Sequence, residues 1–71
     1  MFTTDALRFF GSKPKLALAA GVKAPSVYNW GELVPEGRAM RLQEASGGVL
    51  HYDPKVYDEY RKARRSAEAE Q

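Results

Sequence analysis

The 71 residues of this chain suffice for one small domain, in which nearly every large apolar side chain must join a single core. The absence of cysteine excludes a disulfide framework and a thiolate metal site, and no apolar run could span a bilayer, so we expect a soluble, cytoplasmic protein without a membrane partner. The net charge is only +2, but from Arg8 to Arg41 six basic residues stand against two acidic ones, and this excess indicates a polyanionic partner. The first ten residues contain an acid and lack the order of a signal peptide.

The sequence predicts two helices before residue 21. The first is expected to begin at a cap formed by Thr3 or Thr4 and to end at Gly11, with its apolar residues on one face. Ser12 is the expected cap of the second helix. Pro14 then falls in the first turn, where the missing proline N–H has no helical partner in any case.

Residues 12–32 have the spacing of a helix-turn-helix. Ala17 is small enough for a second helix to cross close above it, and Gly21 can take the left-handed conformation of a sharp turn. The following helix is expected to begin at Pro25, after an alanine that caps it poorly, and to run through Trp30, which we expect in the core. The side chains expected to hold the angle between the helices are Leu16, Ala17, Ala20, Val22, Val27 and Trp30.

A fourth helix is expected from about Pro35 or Glu36 to the pair Gly47–Gly48. Its apolar residues recur at helical spacing, on Ala39, Met40, Leu42 and Ala45. Residues 49–52 form a short apolar run that is compatible with a strand or with a segment packing back on the core.

A short fifth helix is expected to follow, with Asp53 as its cap and Pro54 at its first position. Beyond about residue 62 the apolar stripe ends, so residues 63–71 are expected to form a charged, frayed or disordered tail. The sequence therefore predicts an all-α domain of five helices over residues 1–62, with a helix-turn-helix.

Double-stranded DNA is the predicted partner, because the second helix of a helix-turn-helix lies in the major groove. The side chains predicted to face the bases are Lys23, Ala24, Pro25, Ser26, Tyr28 and Asn29. Asn29 can pair with adenine and Lys23 with guanine or a phosphate, although an exposed lysine without a partner is as simple an interpretation of Lys23. Phosphate contacts are predicted for Ser12, Lys13, Lys15, Arg38 and Arg41.

Catalytic chemistry finds little support. His51 is the single histidine and is expected to be half-buried, and no phosphate loop or metal-ligand spacing occurs, so we predict no enzyme, metal, cofactor or small-molecule ligand. The alternative to DNA binding is a protein-interaction module or antitoxin-like adaptor that works through its tyrosine-rich C-terminal segment. Residues 49–60 are also expected to complete the core and form a homodimer contact, tight or weak, through Val49, Leu50, Tyr52, Val56 and Tyr57.

Several motifs, taken together, resemble the Cro repressors of lambdoid bacteriophages and prophages, in their all-helical branch. They are FGS at 10–12, LALAAGV at 16–22, VYNW at 27–30, VPE at 34–36, RLQE at 41–44 and GGVLHY at 47–52. The resemblance covers most of the chain and implies a lambda-repressor-like helix-turn-helix fold. It also implies a small dimeric repressor that binds a pseudo-palindromic operator and competes with a phage repressor for it. Other Cro proteins have a β-hairpin in place of the C-terminal helices, and the helical stripe of the fourth helix favours the helical form.

Three positions bear on this resemblance. Lys13 stands at the start of the second helix, where many helix-turn-helix proteins contact phosphate, and is suited to that role. Gly31 stands where the family often has a basic residue, which removes one expected phosphate contact. Leu18 takes an outward position that is often polar in relatives, and we expect it to pack against the first helix or the tail.

Overall fold

The computed structural model describes residues 1–69 and contains five α-helices, namely α1 (Thr3–Phe10), α2 (Lys13–Ala20), α3 (Ala24–Tyr28), α4 (Glu36–Ala45) and α5 (Pro54–Ala69). The prediction of an all-α domain is confirmed: the described residues form no strand, and one isolated antiparallel bridge joins Phe2 to Leu33. None of the described helices is long and apolar enough to cross a membrane.

The boundaries of α2 follow the predicted local chemistry. Ser12 is its N-cap, and the Ser12 Oγ accepts a hydrogen bond from the Lys15 N–H at 3.4 Å. Gly11, at a φ of 92°, ends α1, and Gly21, at 74°, ends α2 in the left-handed region that glycine enters without a steric penalty. These two glycines fix where the chain turns on either side of α2.

The start of α1 differs from the prediction. Phe2 occupies the cap position without a side-chain bond, whereas Thr3 lies inside the helix and donates from its Oγ1 to the Gly31 carbonyl at 2.9 Å. The Val34 N–H also donates to the Met1 carbonyl, at 3.0 Å. The predicted threonine cap is wrong because the chain start pairs with the connection between α3 and α4, a long-range contact that local sequence does not reveal.

The helix α3 has only five residues, and both its ends differ from the prediction. Lys23 is the N-cap, and the bond from the Ser26 N–H to the Lys23 carbonyl, at 2.9 Å, draws Ala24 into the first turn. At the other end the Trp30 N–H donates to the Val27 carbonyl at 3.1 Å. Hydrogen bonds between residues three positions apart, as in a 3₁₀-helix, tighten a helix terminus, and here α3 ends before the tryptophan.

The core is one cluster in which α2 packs against α1, α3 and α4. Its largest fully buried side chains are Leu16, Val34 and Leu42. Among the residues predicted to hold the helix-turn-helix angle, four are buried, namely Leu16, Ala17, Ala20 and Val27. Val22 and Trp30 are half-buried and pack against the edge of the cluster.

The predicted apolar stripe of α4 is only half right. Ala39 and Leu42 are fully buried, but Met40 is 50% exposed and Ala45 is also exposed. Ser46, which directly follows the helix, is buried instead. The inward side of α4 therefore includes the polar positions Gln43 and Ser46 in place of Met40 and Ala45.

Residues 49–52 do not form a strand. Their backbone is instead bonded to two polar side chains, Gln43 of α4 and Ser46 directly after it. Ser46 Oγ accepts from the Leu50 N–H at 2.9 Å and donates to the Gln43 carbonyl at 3.0 Å. Gln43 Oε1 accepts from the Tyr52 N–H at 2.8 Å. Of the two readings left open for this run, the segment that packs back on the core is the one observed.

The helix α5 begins as predicted, with the Lys55 N–H donating to Asp53 Oδ1 at 3.0 Å, but it is not short. It has sixteen residues and continues through 63–69, where fraying was expected. Residues 70 and 71 lie outside the described part of the chain, and the boundary between a domain at 1–62 and a tail stays a prediction.

A polar cluster joins α5 to the start of α4. Arg61 forms ion pairs with Glu36 at 3.0 Å and Asp58 at 2.8 Å, and the Tyr52 hydroxyl donates to Glu36. The hydrogen bonds from Tyr52 and Arg61 lower the pKa of Glu36 below its usual value. Beneath this cluster the buried Tyr57 hydroxyl donates to the Val34 carbonyl at 2.7 Å, and burial raises the pKa of Tyr57 to about 12.

Candidate nucleic-acid interface

The pair α2 and α3 is fixed by the turn between them. The Gly21 N–H donates to the Leu18 carbonyl at 3.2 Å and the Val22 N–H to the Ala17 carbonyl at 3.0 Å, so the chain reverses at the end of α2. Ala17 is buried at 2% exposure beneath α3. The small side chain permits the close crossing that the sequence predicted, and the outer side of α3 is left open.

The structure brings most of the predicted base-facing residues to one exposed surface around α3. Lys23, Pro25, Ser26, Tyr28 and Asn29 are exposed, and Tyr28 retains 65% of its accessible area. Ala24 is different, because it is half-buried and packs against the core cluster. Its methyl group contributes more to seating α3 than to the outer surface.

Asn29 lies at the C-cap of α3 rather than within the helix. Its Nδ2 makes a long hydrogen bond of 3.5 Å to the Pro25 carbonyl, and its side-chain oxygen has no partner among the hydrogen bonds of the described residues. The side chain is exposed, so exchanging this long bond for a stronger ligand bond costs little. Its carboxamide is therefore able to offer both a donor and an acceptor to a base edge.

The start of α2 is positively charged without any compensating acid. Lys13 and Lys15 both lie in the first turn, which contains no acidic residue. Because the N-terminus of a helix carries the positive end of its dipole, two lysines there are unfavourable for the free protein and favourable once an anion binds. The Ser12 hydroxyl accepts from the backbone and keeps its own proton available for donation.

The ammonium of Lys13 also reaches across to α3. Lys13 Nζ lies 4.0 Å from the centroid of the Tyr28 ring, within the range of a cation–π interaction, and Lys13 is only half exposed. The contact ties the first residue of α2 to the last residue of α3. Sequence reasoning missed this pair, because residues fifteen positions apart in two short helices share no local pattern.

The helix α4 contributes two exposed arginines, Arg38 and Arg41. Arg41 lies over the turn, since a Cβ built on Gly21 would stand 3.1 Å from the guanidinium Cζ. The two arginines line an open cleft beside Ala19 of α2. Positive side chains from α2 and α4 therefore flank the helix-turn-helix, as predicted from the charge distribution.

The residues predicted to form a dimer contact are divided by the structure. Leu50 and Tyr57 are buried in the protein's own core, at 8% and 5% exposure, and the half-buried Tyr52 is bonded to Glu36. Val49, by contrast, is 70% exposed. Of the five residues predicted to form the dimer contact, Val49 and Val56 are therefore the ones that a partner could reach.

Three apolar neighbours of this segment, Phe2, Leu33 and Tyr60, were not predicted from the sequence, whereas Val49 and Val56 belong to the predicted contact. Phe2 and Val56 line two adjoining grooves, one with Val49 and the other with Leu33 and Tyr60. We call these five residues the Phe2 surface. Phe2 directly precedes α1 and is 42% exposed. Its place outside the apolar stripe of α1 is the only feature of the sequence that could have indicated its exposure.

Two further expectations are corrected. His51 was expected to be half-buried and is exposed, because backbone and side-chain bonds at Leu50 and Tyr52 fix the segment on either side of it. Leu18, which was expected to pack against α1 or the tail, is 83% exposed on α2 and is not among the described apolar side chains that pack against the core cluster. Among residues 1–69 no group of three or more His, Asp or Glu side chains could hold a metal ion.

Comparison with known proteins agrees with this geometry. A family model described as DNA-binding transcriptional regulator Cro, of the P22 Cro type, matches residues 2–61. The chain is 72% identical over 67 residues to the repressor protein of division inhibition gene dicB of Escherichia coli (strain K12), which covers 93% of this chain and 88% of that protein. It is 33% identical over 57 residues to the regulatory protein cro of Salmonella phage P22, with 80% and 93% coverage.

The fold likeness is equally direct. The solution structure of P22 Cro matches with a TM-score of 0.76 at 33% identity, over 80% of this chain and 93% of that one. The likeness to a phage regulator and to a repressor agrees with the resemblance seen in the sequence motifs. The chain belongs to the P22 Cro family of DNA-binding transcriptional regulators, and not to a family of enzymes.

Proposed function

We propose that this protein is a transcriptional repressor that binds specific double-stranded operators with α3 in the major groove. The observation that carries the proposal is the packing of α2 and α3 around Gly21, which leaves the outer side of α3 exposed between basic side chains of α2 and α4. A helix held in this way is the element that helix-turn-helix proteins insert into the groove.

Specific recognition is assigned to the exposed side chains around α3. Asn29 offers a paired donor and acceptor to adenine, and Lys23 can reach guanine acceptors. Ser26 can bond a base edge or a phosphate, and Pro25 can contact a thymine methyl group. Ala24, half-buried in the core, supports the helix from beneath.

Affinity is assigned to contacts with the phosphates. Ser12 can donate its hydroxyl proton, and the two lysines at the start of α2 add charge at the positive end of the helix dipole. Arg38 and Arg41 extend this charge from α4. Each phosphate neutralised releases counterions, so binding should weaken steeply with salt.

We further propose that the protein binds pseudo-palindromic operators as a homodimer through the Phe2 surface. A two-fold axis would place two copies of α3 about one helical turn apart on the duplex, roughly 34 Å. Val49 and Val56 belong to the predicted contact and remain accessible, while Leu50, Tyr52 and Tyr57 support it from within. Acidic side chains at the margin, Asp5, Glu32 and Glu59, would have to stay hydrated.

Sedimentation of a charge variant tests the dimer. Val49→Glu places a carboxylate at a 70% exposed position of the Phe2 surface and should shift the protein towards monomer without unfolding it. Leu18→Glu is the matched control, since Leu18 is 83% exposed on α2 and outside this surface. Equal association of wild type and both variants would remove the Phe2 surface from the proposal.

The relative in Escherichia coli is described as the repressor of division inhibition gene dicB. By its 72% identity we propose that this chain too represses a prophage gene, and that it acts in the cytoplasm of a bacterial host, at the nucleoid. The helix-turn-helix residues and not the core decide which operator it prefers.

Selection of bound sites from a random duplex pool tests the proposed function. A selected site should contain two related half-sites, and Asn29→Ala should relax the preference at one base pair in each while weakening binding by ~1–3 kcal/mol. Arg41→Ala should instead weaken binding to all sequences and lower the salt slope by about one. No binding to any duplex at low salt would overturn the proposal in favour of a protein-interaction adaptor.

A further inference from the structure

The contact between Lys13 and Tyr28 assigns Tyr28 a role different from base reading. We propose that Tyr28 is a positioning residue, whose ring holds the Lys13 ammonium at the start of α2 for a phosphate of the DNA backbone. This inference rests on the proposed function and adds to it the division of labour between the two side chains.

The geometry is unusual for a lysine of this kind. A surface lysine normally extends into water on a flexible stem, whereas Lys13 is half-buried with its Nζ 4.0 Å from the ring centroid of Tyr28. Tyr28 is 65% exposed, so its ring forms a wall at the surface and not a core contact. The ring face carries the negative part of the aromatic quadrupole, which attracts the ammonium.

The helix dipole of α2 explains why the Tyr28 ring is needed to keep the Lys13 ammonium in place. Lys13 is the first residue of α2, where the helix dipole repels a cation and no acidic side chain of the first turn offsets it. Without the ring, the ammonium would move away from the helix end into solvent. With the ring, it is held 4.0 Å from the Tyr28 centroid, in a defined position from which it can meet a phosphate of the DNA backbone.

Pre-placement reduces the entropy lost when the lysine binds. The cation–π contact already restricts this long side chain in the free protein, so less conformational freedom is lost when the ammonium binds a phosphate. We therefore expect loss of the ring to weaken duplex binding about three- to tenfold, equally for operator and unrelated DNA. The Tyr28 hydroxyl takes no part in this effect.

A double-mutant cycle on the full chain tests the inference. Tyr28→Leu removes the ring, and Tyr28→Phe, the matched control, keeps the ring and removes the hydroxyl. Tyr28→Leu should weaken binding in the wild-type background and have less than a twofold effect in a Lys13→Gln background, while Tyr28→Phe should bind as wild type. Equal effects of Tyr28→Leu in both backgrounds, or an altered base preference, would overturn the inference and return Tyr28 to base reading.

A spectroscopic measurement without DNA keeps this test separate from that of the proposed function. The ring current should shift the Lys13 ε-methylene protons upfield in wild type and Tyr28→Phe, and the shift should vanish in Tyr28→Leu. Absence of that shift in wild type would refute the inference even if DNA binds. If the shift is present and no duplex binds, the phosphate role of the pair is wrong along with the proposed function.

Discussion

Replacing Tyr57 with phenylalanine isolates a single buried hydrogen bond. The Tyr57 side chain is 5% exposed, and its hydroxyl donates at 2.7 Å to the carbonyl of Val34, a fully buried residue. Phenylalanine fills nearly the same volume, so the variant opens almost no cavity. It leaves a buried carbonyl without this donor, which costs ~1–3 kcal/mol.

That loss is large for a domain of this size. At ~0.05–0.15 kcal/mol per residue, the free energy of unfolding of a 71-residue chain is roughly 4–11 kcal/mol. With a urea m-value of about 1 kcal/mol/M, the midpoint of unfolding should fall by roughly 1–3 M. Tyr28→Phe, at a position 65% exposed, is the matched control and should change the free energy of unfolding by less than about 0.5 kcal/mol.

The same residue predicts a dependence on alkaline pH. Burial raises the pKa of Tyr57 from 10.0 to about 12, so the folded state favours the protonated phenol. The corresponding stability is fully present below pH 10 and is lost as the pH rises from 10 to about 12. Urea unfolding of wild type should therefore show a steeper alkaline loss than that of Tyr57→Phe. Equal midpoints at pH 7 and parallel alkaline profiles would show that the buried Tyr57 hydroxyl does not stabilise the fold.

Three further variants test other parts of the fold. Ser46→Ala removes both bonds of a buried hydroxyl and should lower the free energy of unfolding by ~1–3 kcal/mol, and an unchanged urea midpoint would contradict the role given to residues 49–52. Glu36→Gln should flatten the acid limb of stability, because the lowered pKa of Glu36 contributes stability that is present above about pH 4.5 and is lost as the pH falls through the folded-state pKa. Acid titrations of wild type and variant, followed by circular dichroism, should therefore differ in slope. Parallel titrations would mean that the Tyr52 and Arg61 contacts with Glu36 are absent. Ser12→Ala should lower the free energy of unfolding by ~1 kcal/mol through loss of the α2 cap, and Thr4→Ala, at an exposed position in α1, is the control. Thermal melts in which Thr4→Ala is the less stable of the two variants would reject the cap.

Local chemistry was enough to predict the elements whose ends depend on one or two residues. Ser12 with Pro14 and Gly21 set the bounds of α2, and Asp53 with Pro54 set the start of α5. In each case a side chain or a fixed φ satisfies a terminal backbone group within a few positions. The spacing of small and apolar residues then sufficed to place α3 across α2.

The errors arose where a distant contact overrides the local preference. Thr3 uses its hydroxyl on the Gly31 carbonyl and not as a cap. The inward side of α4 follows Gln43 and Ser46, because their side chains satisfy the backbone of residues 49–52, and periodicity counted only apolar residues. Such bonds require knowledge of which segments meet.

The candidate site likewise has features that the sequence could predict and features that it could not. Exposure around α3 and the basic flank were predictable, since both follow from one helix face and from charge spacing. The contact of Lys13 with Tyr28 and the placement of Arg41 over Gly21 were not, because each joins two helices at a geometry that only the fold supplies.

The most direct test of sequence-specific recognition by α3 compares one selected duplex with a shuffled duplex of the same length and composition. Fluorescence anisotropy should be measured for wild type at several salt concentrations between 50 and 200 mM. Binding to the selected site should be at least ~10³-fold tighter than to the shuffled one, with both affinities falling as salt rises. Equal affinities for the two duplexes would show that the protein does not recognise sequence.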